Sequence, residues 1–287
     1  MKILVTGVNG QLGNELVKRL SGRHDVIGFA REQLDLSNPA AVESKISGHS
    51  FDWLINCAAY TQVDLAEDEI DLSNRINRDS VQAMANAVAS QNARMLQVST
   101  DFVFNGKHSC PYQEDNVIDP IGQYGHSKAE GERAILQTLS SALLIRTGWV
   151  CGGHGKNFVK TILRLAHDRD KLTVVDDQIG TPTFTVDLAQ AIEQLVTTNA
   201  SGIYHFSNEG VASWYDFAVA IVEEGKEHGI LTKDCKVMPI PCKSYPTKAT
   251  RPAYSVLSKA KIRPVLGYDI PHWRTSLRNL ILEIKHG

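Results

Sequence analysis

The sequence predicts an α/β protein: a doubly wound parallel sheet with a smaller carboxy-terminal substrate-binding domain. Three observations predict it. Short apolar runs alternate with helical patterns through the first half of the chain, which implies parallel crossover units. Runs such as ILV and WLIN are continuously apolar, as strands covered on both faces must be. Three glycines stand between the first strand and the first helix.

Residues 2–6 read as a buried strand, and 11–20 as a helix with Leu12, Leu16 and Leu20 on one face. A strand at 25–30, a short helix at 39–46, a strand at 52–58, an Ala/Met/Val-rich helix at 79–90 and a strand at 94–99 follow. A helix over 124–139 and a strand over 142–147 complete the alternation. Beyond about residue 150 the rhythm loosens, with helices at 157–167, 186–197 and 213–224, strands at 172–175 and 203–206, and a last helix from about 272. Four prolines within 237–252 predict extended or looped chain there. The expected division is a dinucleotide-binding domain over 1–150 and a mainly substrate-binding domain over 151–287, with segments at about 172–200 returning to the first.

Composition narrows the function classes. The 287 residues are 43% apolar and 22% charged, as in a globular protein. Lys plus Arg number 30 against 32 Asp plus Glu, for a net charge of −2. That lacks the basic excess of a nucleic-acid binder, so an anionic ligand must be held by local groups. Five cysteines form no CxxC pair, which predicts reduced thiols, and Cys57 in its apolar run reads as a small core residue. MKILVTG enters a strand at once, without a secretory pattern, and no apolar run has membrane-span length, so a cytoplasmic protein is expected.

Gly7, Gly10 and Gly13 in TGVNGQLG have GxxGxxG spacing, a variant of the Rossmann-like dinucleotide fingerprint. Such glycines permit a tight turn and close approach of backbone to a pyrophosphate, while the helix start offers free N–H groups. The acidic ribose-binding residue usual about twenty positions later is absent at the end of the second strand, where Arg31 stands instead. A guanidinium there suits a 2′-phosphate and favours NADPH, although a solvated arginine fits equally; Asp35 could take a ribose or adenine contact, which leaves NADH open.

Tyr124 and Lys128 are i and i+4 on a predicted helix and share a face. A free phenol titrates near 10, and a neighbouring ammonium lowers that value towards useful acid–base chemistry. Alone, the pair could be two surface residues. Its position gives it meaning: Ser99, Thr100 and Asp101 close the strand before the helix, where ligands bind in open α/β sheets, and a hydroxyl there can meet a substrate carbonyl. No GxSxG or HExxH is present, and no histidine pair has convincing metal-ligand spacing. A keto reductase of doubly wound fold is the reading from the residues alone.

TGVNGQLG (6–13), NCAAYTQVDLAE (56–67), STDFVFNG (99–106), YGHSK (124–128), RTGWV (146–150), DQIGTPT (177–183) and RPAYSVL (251–257) carry a resemblance over almost the whole chain. It is to the extended short-chain dehydrogenase/reductase superfamily and, more narrowly, to the dTDP-4-dehydrorhamnose reductase family. The resemblance implies that Gly7, Gly10 and Gly13 cradle the cofactor pyrophosphate, with Val8, Asn9, Gln11 and Leu12 lining the turn. It implies Asp35 and Leu36 near the adenine, Ala58, Ala59 and Tyr60 along the cofactor, and Thr61 and Val63 on the active-site cleft. Thr100, Tyr124 and Lys128 become the catalytic group, Trp149 a neighbour of the sugar, and Asn157 and Arg251 neighbours of the nucleotide diphosphate.

The substrate implied is a dTDP-linked 4-keto sugar, and a homodimer is what the resemblance suggests. Some members bind magnesium at a dimer interface; no acidic cluster places it in this chain. The family often has tyrosine and aspartate where Phe102 and Asn105 stand, and Phe102 removes a hydroxyl that could touch the sugar. Two alternatives remain: a reductase or epimerase of another nucleotide sugar, and a non-catalytic regulatory subunit like that of methionine adenosyltransferase.

Overall fold

The computed structural model describes residues 1–286. The chain opens with β1 (Lys2–Thr6), α1 (Gln11–Leu20), β2 (Asp25–Phe29), α2 (Pro39–Ser47) and β3 (Trp53–Asn56). Next come α3 (Val63–Ala66), α4 (Ile70–Asn74), a π-helical turn over Arg75–Asp79, α5 (Ser80–Ala89) and β4 (Arg94–Thr100). The segment α6 (Gln123–Thr138), β5 (Leu143–Thr147), β6 (Val150–Cys151), α7 (Phe158–Asp168) and β7 (Lys171–Val175) follows. After it lie β8 (Ile179–Gly180), β9 (Thr183–Phe184), α8 (Thr185–Thr197), β10 (Gly202–His205) and β11 (Ala212–Ser213). The chain closes with α9 (Trp214–Glu227), β12 (Lys236–Ile240), α10 (Arg263–Leu266) and α11 (Trp273–His286).

Six strands form one parallel sheet in the order β10-β5-β4-β3-β1-β2. The fold is the expected Rossmann-like, doubly wound one. The chain steps from β1 outward to β2, then returns past β1 to β3. The winding reverses between β1 and β3, and a crevice opens there at the carboxyl ends of the strands. Alternation along β1 serves both faces: Ile3 and Val5 pack in the cluster that contains Leu12 and Leu16 of α1 and Leu188 and Ile192 of α8, while Leu4 packs with Val42 and Ile46 of α2 and Val81 and Met84 of α5. Each such side chain, fully buried, contributes roughly 1.5–3 kcal/mol.

A second apolar cluster joins α7, α9, α11 and β7 around Leu163, Phe217, Ile221 and Leu277. β7 pairs in parallel with β12 there, whereas α8 packs on α1 and β10 extends the main sheet. Pro239 lies opposite Val174 within β12, tolerated because the pairing is only two strands wide.

The main departure from the sequence pattern lies between residues 63 and 79, where the structure has α3, α4 and the π-helical turn. The acidic and polar residues interspersed there break any apolar period, so tertiary contacts set this helical path. Asn77 in the turn donates to the Ser127 hydroxyl (2.9 Å) and the Tyr60 carbonyl (3.1 Å), which fastens the segment to α6.

Candidate active site

The crevice between β1 and β3 opens into a cleft of about 710 Å³. Its floor begins at the glycine turn. Gly7 has φ +70°, and a Cβ there would stand 2.9 Å from the Ala58 nitrogen. A Cβ on Gly13 would lie 2.2 Å from the Gly7 carbonyl oxygen, so Gly13 seats α1 behind the turn and does not line the cleft. Gly7, Asn9, Gly10, Gln11 and Leu12 do line it. α1 has no side-chain cap at its start and no acidic residue in its first turn, so its leading N–H groups are free for an anion. The turn therefore fits a dinucleotide pyrophosphate.

Arg31, Asp35 and Leu36 stand together on the adjoining wall. The Asp35 carboxylate accepts the Ser37 N–H at 3.0 Å, which, with Arg31 assisting, holds its pKa below the usual range. Ala58 and Ala59 continue the wall, but Tyr60 does not. Its ring is buried, its N–H donates to Asn77 Oδ1 (2.9 Å), and its hydroxyl donates to Glu69 Oε2 (2.8 Å).

At the carboxyl end of β4 the structure brings Thr100, Tyr124 and Lys128 onto one cleft. Lys128 is buried and donates from Nζ to the Val98 carbonyl at 2.7 Å. Burial brings its pKa down to about 8, against the pull of Glu132 and Cys57. Lys128, expected to lower the Tyr124 pKa, is not among the groups that shift it here. Desolvation pushes the phenol up to about 12, the nearby Thr100 hydroxyl opposes that shift, and the Asp101 carboxylate adds to it. Tyr124 thus keeps its proton at neutral pH.

Asp101 is a site residue whose charge the sequence did not reveal. It is buried beside Thr100 and Tyr124, accepts the Thr100 hydroxyl at 3.1 Å, and has its pKa raised to about 6 by desolvation. A Cβ on Gly148 would fall 2.5 Å from its carboxylate, so only glycine admits it. Phe102 also lines the cleft, edge-on to Tyr124 with ring centroids 5.6 Å apart, while Asn105 braces its own loop through Asp119 and Tyr112.

The far wall holds Thr61, Val63, Trp149 and Arg251. Arg251 donates to Asp64 Oδ2 at 2.9 Å. Trp149 adopts φ +52°, a conformation uncommon for an aromatic residue, and stacks on Trp214 with centroids 3.5 Å apart. Trp214 faces the cleft as well; nothing in its local sequence, a helix start, announced it. Asn157 lies off the cleft: it caps α7 through Lys160 N–H, and its Nδ2 donates to Gln11 Oε1 (2.9 Å) and the Gly152 carbonyl (2.8 Å).

Among the described residues no cluster of three or more His, Cys, Asp or Glu could hold a metal ion. No helix among them is long and apolar enough to cross a membrane.

The family model described as the RmlD substrate binding domain matches residues 1–286. A dTDP-4-dehydrorhamnose reductase of Aggregatibacter actinomycetemcomitans is 42% identical, over 97% of this chain and 98% of its own. The crystal structure of a dTDP-4-dehydrorhamnose reductase from Clostridium acetobutylicum superposes with a TM-score of 0.93 at 39% identity, covering 99% of this chain and 100% of that one. The same enzyme from Bacillus anthracis, solved in complex with NADP, gives a TM-score of 0.92 at 35% identity, covering 98% and 99%. By sequence and fold, the chain belongs to the dTDP-4-dehydrorhamnose reductase family.

Proposed function

We propose that the protein reduces the 4-keto group of dTDP-4-dehydro-L-rhamnose (dTDP-6-deoxy-L-lyxo-4-hexulose) to dTDP-L-rhamnose. The observation that carries this reading is one cleft running from the glycine turn to Thr100, Tyr124 and Lys128. In this reading the cofactor is held mainly by residues 1–150 and the nucleotide sugar mainly by 151–287. NADPH is the favoured cofactor, since Arg31 on the adenosine wall suits a 2′-phosphate.

A bound nicotinamide supplies the hydride that the C4 carbon accepts. The protein's own part is at the carbonyl oxygen. Tyr124 donates its proton there, and the product is the secondary alcohol. Thr100, free to turn its hydroxyl from Asp101 to the substrate, orients the same oxygen. Lys128, anchored on the Val98 carbonyl, keeps further N–H donors for the cleft.

Tyr124→Phe should lower turnover by roughly 10²–10⁴-fold, the usual scale of general acid catalysis, and leave NADP⁺ affinity intact. The assay follows NADPH and NADH consumption in parallel with dTDP-4-keto sugars and identifies the product. Wild-type turnover by the variant would sink the proton-donor assignment. No turnover by the wild type, with tight binding to another protein, would instead support the regulatory-subunit reading.

A further inference from the structure

The glycine turn has an opposite wall. Gln11, the first residue of α1, accepts on Oε1 the N–H of Gly152 (3.0 Å) and the Nδ2–H of Asn157 (2.9 Å), and its Nε2 donates to the Val150 carbonyl (3.3 Å). His154 Nε2 lies 3.1 Å from the carbonyl oxygen of Asn9. The 150–157 loop is thereby fastened to the residues on both sides of Gly10. Gly155, at φ +75°, turns the loop where a Cβ would touch the Gln11 side chain at 3.4 Å. Lys156 comes next, exposed, on the same cleft as Gly7, Gly10 and Gln11.

A side-chain cation would add to what the turn itself offers. The motif TGVNGQLG contains no Lys or Arg, so the turn offers a pyrophosphate only backbone N–H groups and a helix end. Three other cations border the cleft. Lys128 is anchored on Val98, Arg251 is paired with Asp64, and Arg31 stands on the wall of Asp35. Among the described residues Lys156 has no carboxylate partner within salt-bridge distance.

We propose that Lys156 is a ligand of the cofactor pyrophosphate, held over the glycine turn by the Gln11–Asn157 latch. The proposal rests on the nicotinamide reading above. It also gives Asn157 a role the sequence did not suggest: its amide is fully engaged in fixing the loop, so it positions the lysine and leaves the nucleotide sugar to other groups.

The test titrates NADP⁺, and separately dTDP, into the wild type, Lys156→Met and Lys156→Arg. Lys156→Met should weaken NADP⁺ binding roughly 5–10-fold, as loss of one charge-assisted contact does, and leave dTDP affinity unchanged. Lys156→Arg should restore most of the loss. Added salt should weaken NADP⁺ binding to the wild type more than to Lys156→Met. Gln11→Met, which breaks the latch, should reproduce the weakening. Unchanged NADP⁺ affinity in Lys156→Met would overturn the proposal, as would a loss confined to dTDP, which would give the lysine to the nucleotide sugar. A wild type that fails to bind NADP⁺ would instead remove the cofactor reading itself.

Discussion

At the scale of single residues, two buried ionisable groups beside Tyr124 titrate within reach of ordinary buffers. Lys128, brought down to about 8 by burial, carries its charge below that pH and loses it above. The kcat/KM of the free enzyme should therefore fall as pH rises through about 8, and a pH–rate profile of Lys128→Met should lack that limb. Asp101 works the other way. Its folded-state pKa is raised to about 6 from 3.8, so the fold favours the protonated acid. The stability this gives is complete below pH 3.8 and is lost as pH rises through about 6. Asp101→Asn, which cannot ionise, should melt higher relative to the wild type at pH 8 than at pH 4; an equal difference at both would show that Asp101 does not titrate there.

Among secondary elements, α6 matters most because it carries both Tyr124 and Lys128. Its position is set by the π-helical turn at Arg75–Asp79, against which it packs without a side chain between: a Cβ on Gly131 would lie 2.1 Å from the Asn77 carbonyl oxygen. Gly131→Ala should push the helix away, lower stability by about 1–3 kcal/mol in urea unfolding, as overpacking typically does, and reduce kcat more than cofactor affinity. The Tyr124/Lys128 face was legible in the sequence because i, i+4 spacing is local. The surface that α6 leans on was not, since Asn77 and Gly131 meet only through tertiary packing. The same contrast separates Gly7, whose turn is written in its neighbours, from Asn157, whose partner Gln11 lies far away along the chain. Trp214 escaped for a related reason, and so did the burial of Asp101: a helix start and a strand end look ordinary until the groups opposite them are known.

Over the whole molecule, a buried ion pair fastens the site to the sheet. Arg146 on β5 and Glu132 on α6 are each 1% exposed and meet at 2.7 Å. Glu132 also accepts the Ser99 hydroxyl from the cleft, and Arg146 reaches His205 on β10 at 3.3 Å. Glu132→Gln would leave the Arg146 charge without its counter-ion in the interior, a loss of about 3–5 kcal/mol that chemical denaturation should register. If the midpoint does not move, the pair contributes nothing net. The doubly wound order was predictable because strand and helix periods alternate along the first half of the chain. The return of segments at about 172–200 was expected as one block, whereas α8 packs on the main sheet and β7 joins the second cluster, because pairing partners leave no mark on local periodicity.

Trp149 and Trp214 face one another 3.5 Å apart and 7° from parallel, and both border the cleft. Indoles so close and so nearly parallel share their excitation, so they absorb and emit as a coupled pair. In the proposed reading, a sugar settling against the pair would perturb that coupling before any chemistry occurs. Circular dichroism and tryptophan emission can then follow substrate arrival separately from nicotinamide absorbance, with no added label. The protein carries its own optical gauge of the step that precedes hydride transfer.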